Sequence, residues 1–346
     1  MQSRTFDVIV LGQGLSGTLM AHLLRKSGKR VYVFDREHVN SASRVAAGMW
    51  NPLAFKRFNI SWKAAESLPI MREVFLSIQD EIEQTIFHER KIKRIFADLE
   101  ASESFELKSD LPNYQPYIQG VEAPQKYAPF GVGVVSGGGY VDLPAMIAGY
   151  RKILKSEECY SNKEVTDDEI QFVADRWAVN NVEASAVVCC RGNADLDSRY
   201  WSQLPIQPNK GEVLTVKANV WESGTIMNNG KFCLAISDDL YRLGSTFNWR
   251  TPDEIPTEEG KDEILSKFTK WYPEDYELVE HRAGMRPTVK DRRPLAGEHP
   301  EYPGMFLLNG LGSRGVLNGP RCAQQLLALV NQGVQVEDEI DLRRFL

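Results

Sequence analysis

The sequence predicts an α/β fold: a parallel βαβ unit opens the chain, and an α+β region built on an antiparallel sheet is joined to it. Three observations carry this prediction. Residues 6–11, FDVIVL, and 30–35, RVYVFD, are apolar runs of strand length. Between them Leu15, Leu19 and Leu23 recur at helical spacing. In the middle of the chain, GEVLTVK, KFCLAIS and YRLGSTF alternate like half-buried strands within 207–249. A chain of 346 residues, 42% hydrophobic and 25% charged, allows two domains with a sizeable core.

The elements follow in order. Gly28 is placed to end the first helix in the left-handed conformation. Ile60, Ala64, Leu68, Met71, Phe75, Ile78, Ile82 and Ile86 predict helix over about 61–86, with Pro69 kinking it or starting a second one. Segment 91–140 is rich in Pro, Gly and Tyr and reads as strands and loops, followed by a helix over 143–154. Two short strands are expected in 165–179, and ASAVVCCRGN (184–193) reads as a buried strand ending in a glycine. An amphipathic helix is expected over 257–270, and a strand over 277–283 runs into GMRPTVKDRRPLAG. At the end, MFLLNGLGSRGVLNGP precedes a helix whose first turn suits Pro320.

Composition narrows the class. The formal charge, 41 − 47 = −6, argues against nucleic acid as the main partner, because neutralising phosphates needs an excess of Lys and Arg. The basic run Arg90, Lys91, Lys93, Arg94 reads as a solvated face. Five cysteines without CxxC spacing, Cys189 and Cys190 among them in an apolar run, suit a reducing, cytoplasmic setting. No apolar stretch approaches the ~20 residues of a membrane span, and no signal-peptide layout or metal-ligand spacing occurs.

VIVLGQGLSG (8–17) carries the first chemistry. A strand precedes its glycines, a helix follows, and Asp35 tips the next strand. Gly12 permits the tight turn, Gly14 lets the backbone approach a pyrophosphate, and Gly17 allows close strand–helix packing. The helix start offers free N–H groups and a positive partial charge to the phosphate, and Asp35 can accept from a ribose hydroxyl. The βαβ unit alone does not separate NAD from FAD. The last sixth of the chain is again glycine-rich, which suggests a cofactor stretched between the two ends, as FAD is.

Five stretches then resemble the D-amino-acid oxidase superfamily of flavoenzymes, the group of glycine oxidase and sarcosine oxidase: VIVLGQGLSG with VFDR, SASRVAAGM, GGGYVDLPAM, AGMRPTVKDRRPLAG and NGLGSRGVLNGP. The last two are also similar to the oxidase module of the bifunctional enzyme that modifies the tRNA wobble uridine. The resemblance implies a discontinuous, Rossmann-like FAD-binding domain from 1–50, 141–198 and 283–346, and a substrate domain from 51–140 and 199–282. It implies FAD contacts at Gly12, Gly14, Leu15, Ser16, Gly17, Asp35, Arg36, Ser43, Arg44, Ala46, Ala47, Gly48, Met49, Val165 and Gly192. At the other end it implies Gly312, Ser313, Gly315, Val316 and Leu317, whose N–H groups can surround the flavin C2 oxygen. The chain departs from the family at Asp35, where FAD relatives more often carry Glu, and at the polar CCRGNAD (189–195) around Gly192. Val45 replaces the His, and no Cys lies between Gly284 and Leu317, through which some relatives tether the ring, so the FAD is expected to be noncovalent.

The implied reaction is oxidation of a C–N bond in a small amino acid or N-substituted glycine, with hydride transfer to flavin N5. Oxygen or a quinone or other carrier would take the electrons. No general base is essential, which suits a chain whose five histidines lie outside the flavin motifs. Arg286 is expected to clamp the substrate carboxylate with its guanidinium fork, unless it pairs with a protein carboxylate such as Asp291. Arg314 competes for that role, and Tyr241 and Trp50 are candidate pocket walls. The alternatives are removal of a carboxymethyl group from a modified tRNA nucleoside, and flavin binding without turnover.

Overall fold

The computed structural model describes residues 4–220 and 224–346. Its centre is a six-stranded sheet. Tyr160–Asn162, Val31–Asp35, Val8–Leu11, Ala186–Cys189 and Met305–Asn309 lie side by side in parallel, and Leu295–Glu298 closes the edge antiparallel. Strands that are apolar on both faces need cover on both. Val8, Val10, Val31, Val33 and Val188 pack on one side against the helices Leu15–Lys26, Ala64–Ile82, Leu143–Ser156 and Gly315–Gln332. On the other side Ile9, Leu11, Phe34, Val187 and Cys189 meet Trp177, Val179 and Val182 of a small four-stranded sheet. Alternation within each strand thus serves two hydrophobic layers at once.

The second large element is a nine-stranded mixed sheet from the middle of the chain. Its long edge pair is Ile206–Lys217 against Glu277–Val289, antiparallel, with Asn209 opposite Arg286.

Several elements differ from expectation. Pro69 neither breaks nor starts a helix, since Ala64–Ile82 is continuous through it, and Ile86 lies beyond its end. A helix, Leu99–Ser109, sits inside the segment read as strands and loops. It is polar almost all round and buries only Phe105, so it has no hydrophobic period to read; Asp98 caps it by accepting from Ala101 N–H. The strand expected to end at 283 continues to Val289, through Pro287. It is an edge strand, where a missing N–H costs no ladder bond. The last helix begins at Gly315, five residues before Pro320, because Gly315–Leu317 already take helical geometry.

Candidate functional site

The parallel strands share one consequence: their carboxyl ends open on a common crevice. There the turns after Leu11, Asp35, Cys189 and Asn309 meet the inner face of the mixed sheet around a cavity of about 490 Å³. Of the residues expected to hold a cofactor, Gly12, Gly14, Leu15, Ser16, Asp35, Arg36, Ser43, Arg44 and Ala46–Met49 line it. So do Val165, Gly192, Gly312, Ser313 and Gly315–Leu317. Gly17 lies behind the wall. A Cβ there would sit 1.8 Å from the Gly12 carbonyl oxygen, so its glycine is a packing requirement.

The glycine loop is built as a cradle. Gly12 has φ +92, and a Cβ on it would lie 2.5 Å from the Cys190 carbonyl oxygen. Gly14 is the N-cap of the first helix, and Ser43 Oγ accepts from Leu15 N–H at 2.9 Å. The remaining first-turn N–H groups have no helical partner by construction. Asp35 accepts from Gln13 N–H (3.0 Å), Glu37 N–H (3.1 Å) and Arg151 Nη2 (2.8 Å). Those bonds fill three of its roughly four acceptor sites and leave one. Arg151 also reaches Gln13 Oε1 and Glu37, so one buried guanidinium fixes the whole turn.

At the far end the helix Gly315–Gln332 presents the N–H groups of Gly315, Val316 and Leu317 at its own first turn. Gly312 N–H donates to Pro287 O at 2.9 Å, which ties this helix start to the strand carrying Arg286. Two helix N-termini, one early and one late in the sequence, therefore face one cavity. That arrangement fits a dinucleotide with a pyrophosphate at one helix and an electron-rich ring oxygen at the other. The polar segment after Cys189 does not spoil the fit. Arg191 lines the cavity with its charge paired by Asp167 and Asp195, both at 2.8 Å, and Gly192, at φ +61, has open space before it.

Arg286 projects from the mixed sheet into the same cavity. Its Nη1 donates to Asn209 Oδ1 (2.8 Å) and Thr246 O (3.2 Å), and its Nη2 to Ser245 Oγ (2.8 Å). Gly211 makes room for it, since a Cβ there would fall 2.0 Å from Nη2. Asp291 is not its partner; that carboxylate binds Arg344. Among the described residues no carboxylate pairs with Arg286, and burial pushes its guanidinium down to about 10. Arg314 also lines the cavity, donates to Ser61 Oγ, and is depressed by burial and by Arg293 and Arg292. Three other deep arginines are neutralised: Arg151 by Asp35 and Glu37, Arg191 by Asp167 and Asp195, Arg321 by Glu337.

Tyr241 is not part of the site. It is 1% exposed in the core beneath the mixed sheet, and its hydroxyl donates to Val220 O at 3.1 Å. Tyr241→Phe should therefore cost about 1 kcal/mol of stability and leave kcat within roughly twofold; a melt and a rate assay check this. Trp50 does line the cavity, held by its Nε1–H on Gly137 O and by stacking on Phe87. Sequence reasoning missed Gln13, Arg151, Asn209, Gly211 and Ser245, whose parts depend on cross-strand register. It also passed over His38, which lines the cavity and meets Glu254 at 2.6 Å.

Comparison with known proteins agrees with this geometry. The family model for FAD dependent oxidoreductases matches residues 7–329. The glycine oxidase of Geobacillus kaustophilus is 26% identical, over 91% of this chain and 90% of that protein. A crystal structure of glycine oxidase from Geobacillus kaustophilus superposes with a TM-score of 0.80 at 22% identity, covering 99% of this chain and 98% of that one. The bifunctional tRNA 5-methylaminomethyl-2-thiouridine biosynthesis protein of Marinobacter nauticus is 26% identical over 46% of this chain and 28% of its own length.

Proposed function

The chain belongs to the family of FAD dependent oxidoreductases, and from that premise we propose that it oxidises the C–N bond of a small amino acid or N-substituted glycine. One observation carries the substrate class: Arg286 is a deep guanidinium in the cavity wall, hydrogen-bonded to three neutral groups, with N–H donors to spare and without a counter-charge. A substrate carboxylate supplies that charge, and burial strengthens the pair. The similarity to glycine oxidase supports the same reading.

When bound, FAD would supply the two-electron oxidation of the carbon bearing nitrogen, and water would hydrolyse the resulting imine to an oxo acid and an amine. The protein's share is positioning and charge. Arg286 sets where the carboxylate lies and hence which C–H faces the ring. Gly315, Val316 and Leu317 would direct N–H groups at the ring's carbonyl edge, where negative charge accumulates. Asp35 would take a ribose hydroxyl with its remaining acceptor site, and Gly14 would admit the pyrophosphate. We assign the nucleotide-binding domain to 1–50, 141–198 and 283–346.

Among the described residues no helix is long and apolar enough to cross a membrane. All five cysteines are unpaired, which supports a cytosolic placement. A tRNA substrate is disfavoured by the charge of −6.

The deciding experiment is anaerobic mixing of the yellow protein with a panel of amines and amino acids, followed by oxygen. Bleaching by an amine that carries a carboxylate supports the proposal. Bleaching by none, or only by amines lacking a carboxylate, sinks it. The FAD should also be noncovalent: Val45 lies where a tethering His would stand, and Cys322 is 0% exposed inside the last helix. Acid precipitation is expected to leave the colour in the supernatant, and a yellow pellet contradicts this.

A further inference from the structure

The run Arg90–Arg94, expected as a solvated face, divides in the structure. Lys91 is exposed on the strand Phe87–Ile95, whereas Arg94 turns inward. Arg94 Nη1 donates to Asn228 Oδ1 at 2.5 Å, its guanidinium carbon lies 5.7 Å from the Phe55 ring centroid, and its Nε is buried without a partner. Among the described residues no carboxylate pairs with it, and burial lowers its pKa. Arg94 thus shares the condition of Arg286 and Arg314, not that of the neutralised arginines.

Asn228 stands between Arg94 and the cavity. Its Oδ1 accepts from Arg94 and also from Gly230 N–H at 3.2 Å. With the oxygen used twice, the amide orientation is settled, and both N–H groups of Nδ2 are left for the cavity that Asn228 lines beside Phe55, Gly230 and Phe232. Phe232 is the cross-strand partner of Gly244, next to the Ser245 that holds Arg286, so both positions belong to one wall.

We propose that Asn228, backed by Arg94, is a second anion-recognising subsite, and that the substrate is an amine bearing two carboxylates, one held at Arg286 and the other at Asn228. This rests on the reading of Arg286 given above. An amide donor polarised by a buried cation favours an anionic acceptor over a neutral one. Arg94 in turn gains the counter-charge that the protein does not provide. The reaction is unchanged: the same carbon loses a hydride, and the imine still hydrolyses.

The test uses the FAD-loaded enzyme and two ethers that cannot be oxidised at nitrogen. Diglycolate mimics a dicarboxylic secondary amine, and methoxyacetate its one-carboxylate counterpart. Each is titrated while the flavin spectrum is followed. Wild type should bind diglycolate about tenfold or more tighter. Asn228→Asp keeps the shape and the Arg94 bond but puts a carboxylate where the donor was, so it should bring the ratio of affinities to one or below. Equal affinities in wild type, or a ratio that moves less than about threefold in the variant, overturn the subsite. If Asn228→Asp does not fold, Arg94→Met should lower the ratio in the same direction, and an unchanged ratio overturns the proposal. If neither ether perturbs the flavin, the Arg286 reading itself has failed, and the subsite with it.

Discussion

Arg286→Lys is expected to lower kcat/KM for the amine about 30- to 1000-fold while FAD stays bound, the loss of about 2–4 kcal/mol of positioned charge-assisted hydrogen bonding. Lysine keeps a positive charge but loses the fork. Its single ammonium can approach Asn209 Oδ1 or Ser245 Oγ, the present partners of Nη1 and Nη2, but it cannot hold both and a carboxylate in one plane. The surroundings should survive the change, because all three partners of Arg286 are neutral and none is left as a buried unpaired charge. Small carboxylate inhibitors share the clamp and should weaken by a similar factor. The competitor is Arg314, on the last helix start. Titrating Arg286→Lys and Arg314→Lys with a carboxylate while following the flavin decides between them. Wild-type affinity in the first with impairment in the second moves the clamp to Arg314. No change in either means that the substrate carries no carboxylate.

What could be read from the sequence follows the range of the physics involved. The glycine loop was legible because its demands are local: a positive φ at Gly12, a helix start at Leu15 and an acid at the tip of the next strand lie within 24 residues. The flavin-side segments were legible through resemblance, since their spacing is itself unusual. Arg151 was not, because its relation to Asp35 spans 116 residues and arises only when the Leu143–Ser156 helix packs across the sheet. Asn209, Gly211 and Ser245 became a setting for Arg286 only through the register of Ile206–Lys217 against its neighbours. Tyr241 failed as a candidate for the converse reason. Alternation places an aromatic on one face of a strand, but not which face meets the cavity, and here its ring packs with Leu214, Cys233 and Tyr272. Arg94 was grouped with its neighbours by charge, although strand periodicity puts successive side chains on opposite faces.

The two glycines of the first helix start should separate when each becomes alanine. Gly17→Ala places a methyl 1.8 Å from the Gly12 carbonyl oxygen, backbone against backbone, so no rotamer can relieve it. The loop and the helix Leu15–Lys26 must part. The gain in helix propensity, about 1 kcal/mol, is smaller than an overpacking cost of about 3 kcal/mol. A net loss near 2 kcal/mol should lower the melting temperature of the FAD-free protein by about 2–4 °C. The displaced Gly12 turn should also weaken FAD binding by about a hundredfold or more. Gly14→Ala differs in kind. Its methyl would meet only Ser43 Oγ, at 3.1 Å, a side chain able to turn aside. The apoprotein should then lose no more than about 1 kcal/mol, the difference between Gly and Ala at an N-cap. The methyl nevertheless stands where the backbone would approach a pyrophosphate, so FAD affinity should fall about 30- to 100-fold on its own. Thermal melts of both apoproteins and fluorescence titrations with FAD distinguish the two effects. A Gly14→Ala protein that binds FAD like wild type would place the phosphates elsewhere, and a Gly17→Ala apoprotein as stable as wild type would show that the helix and the loop can separate at little cost.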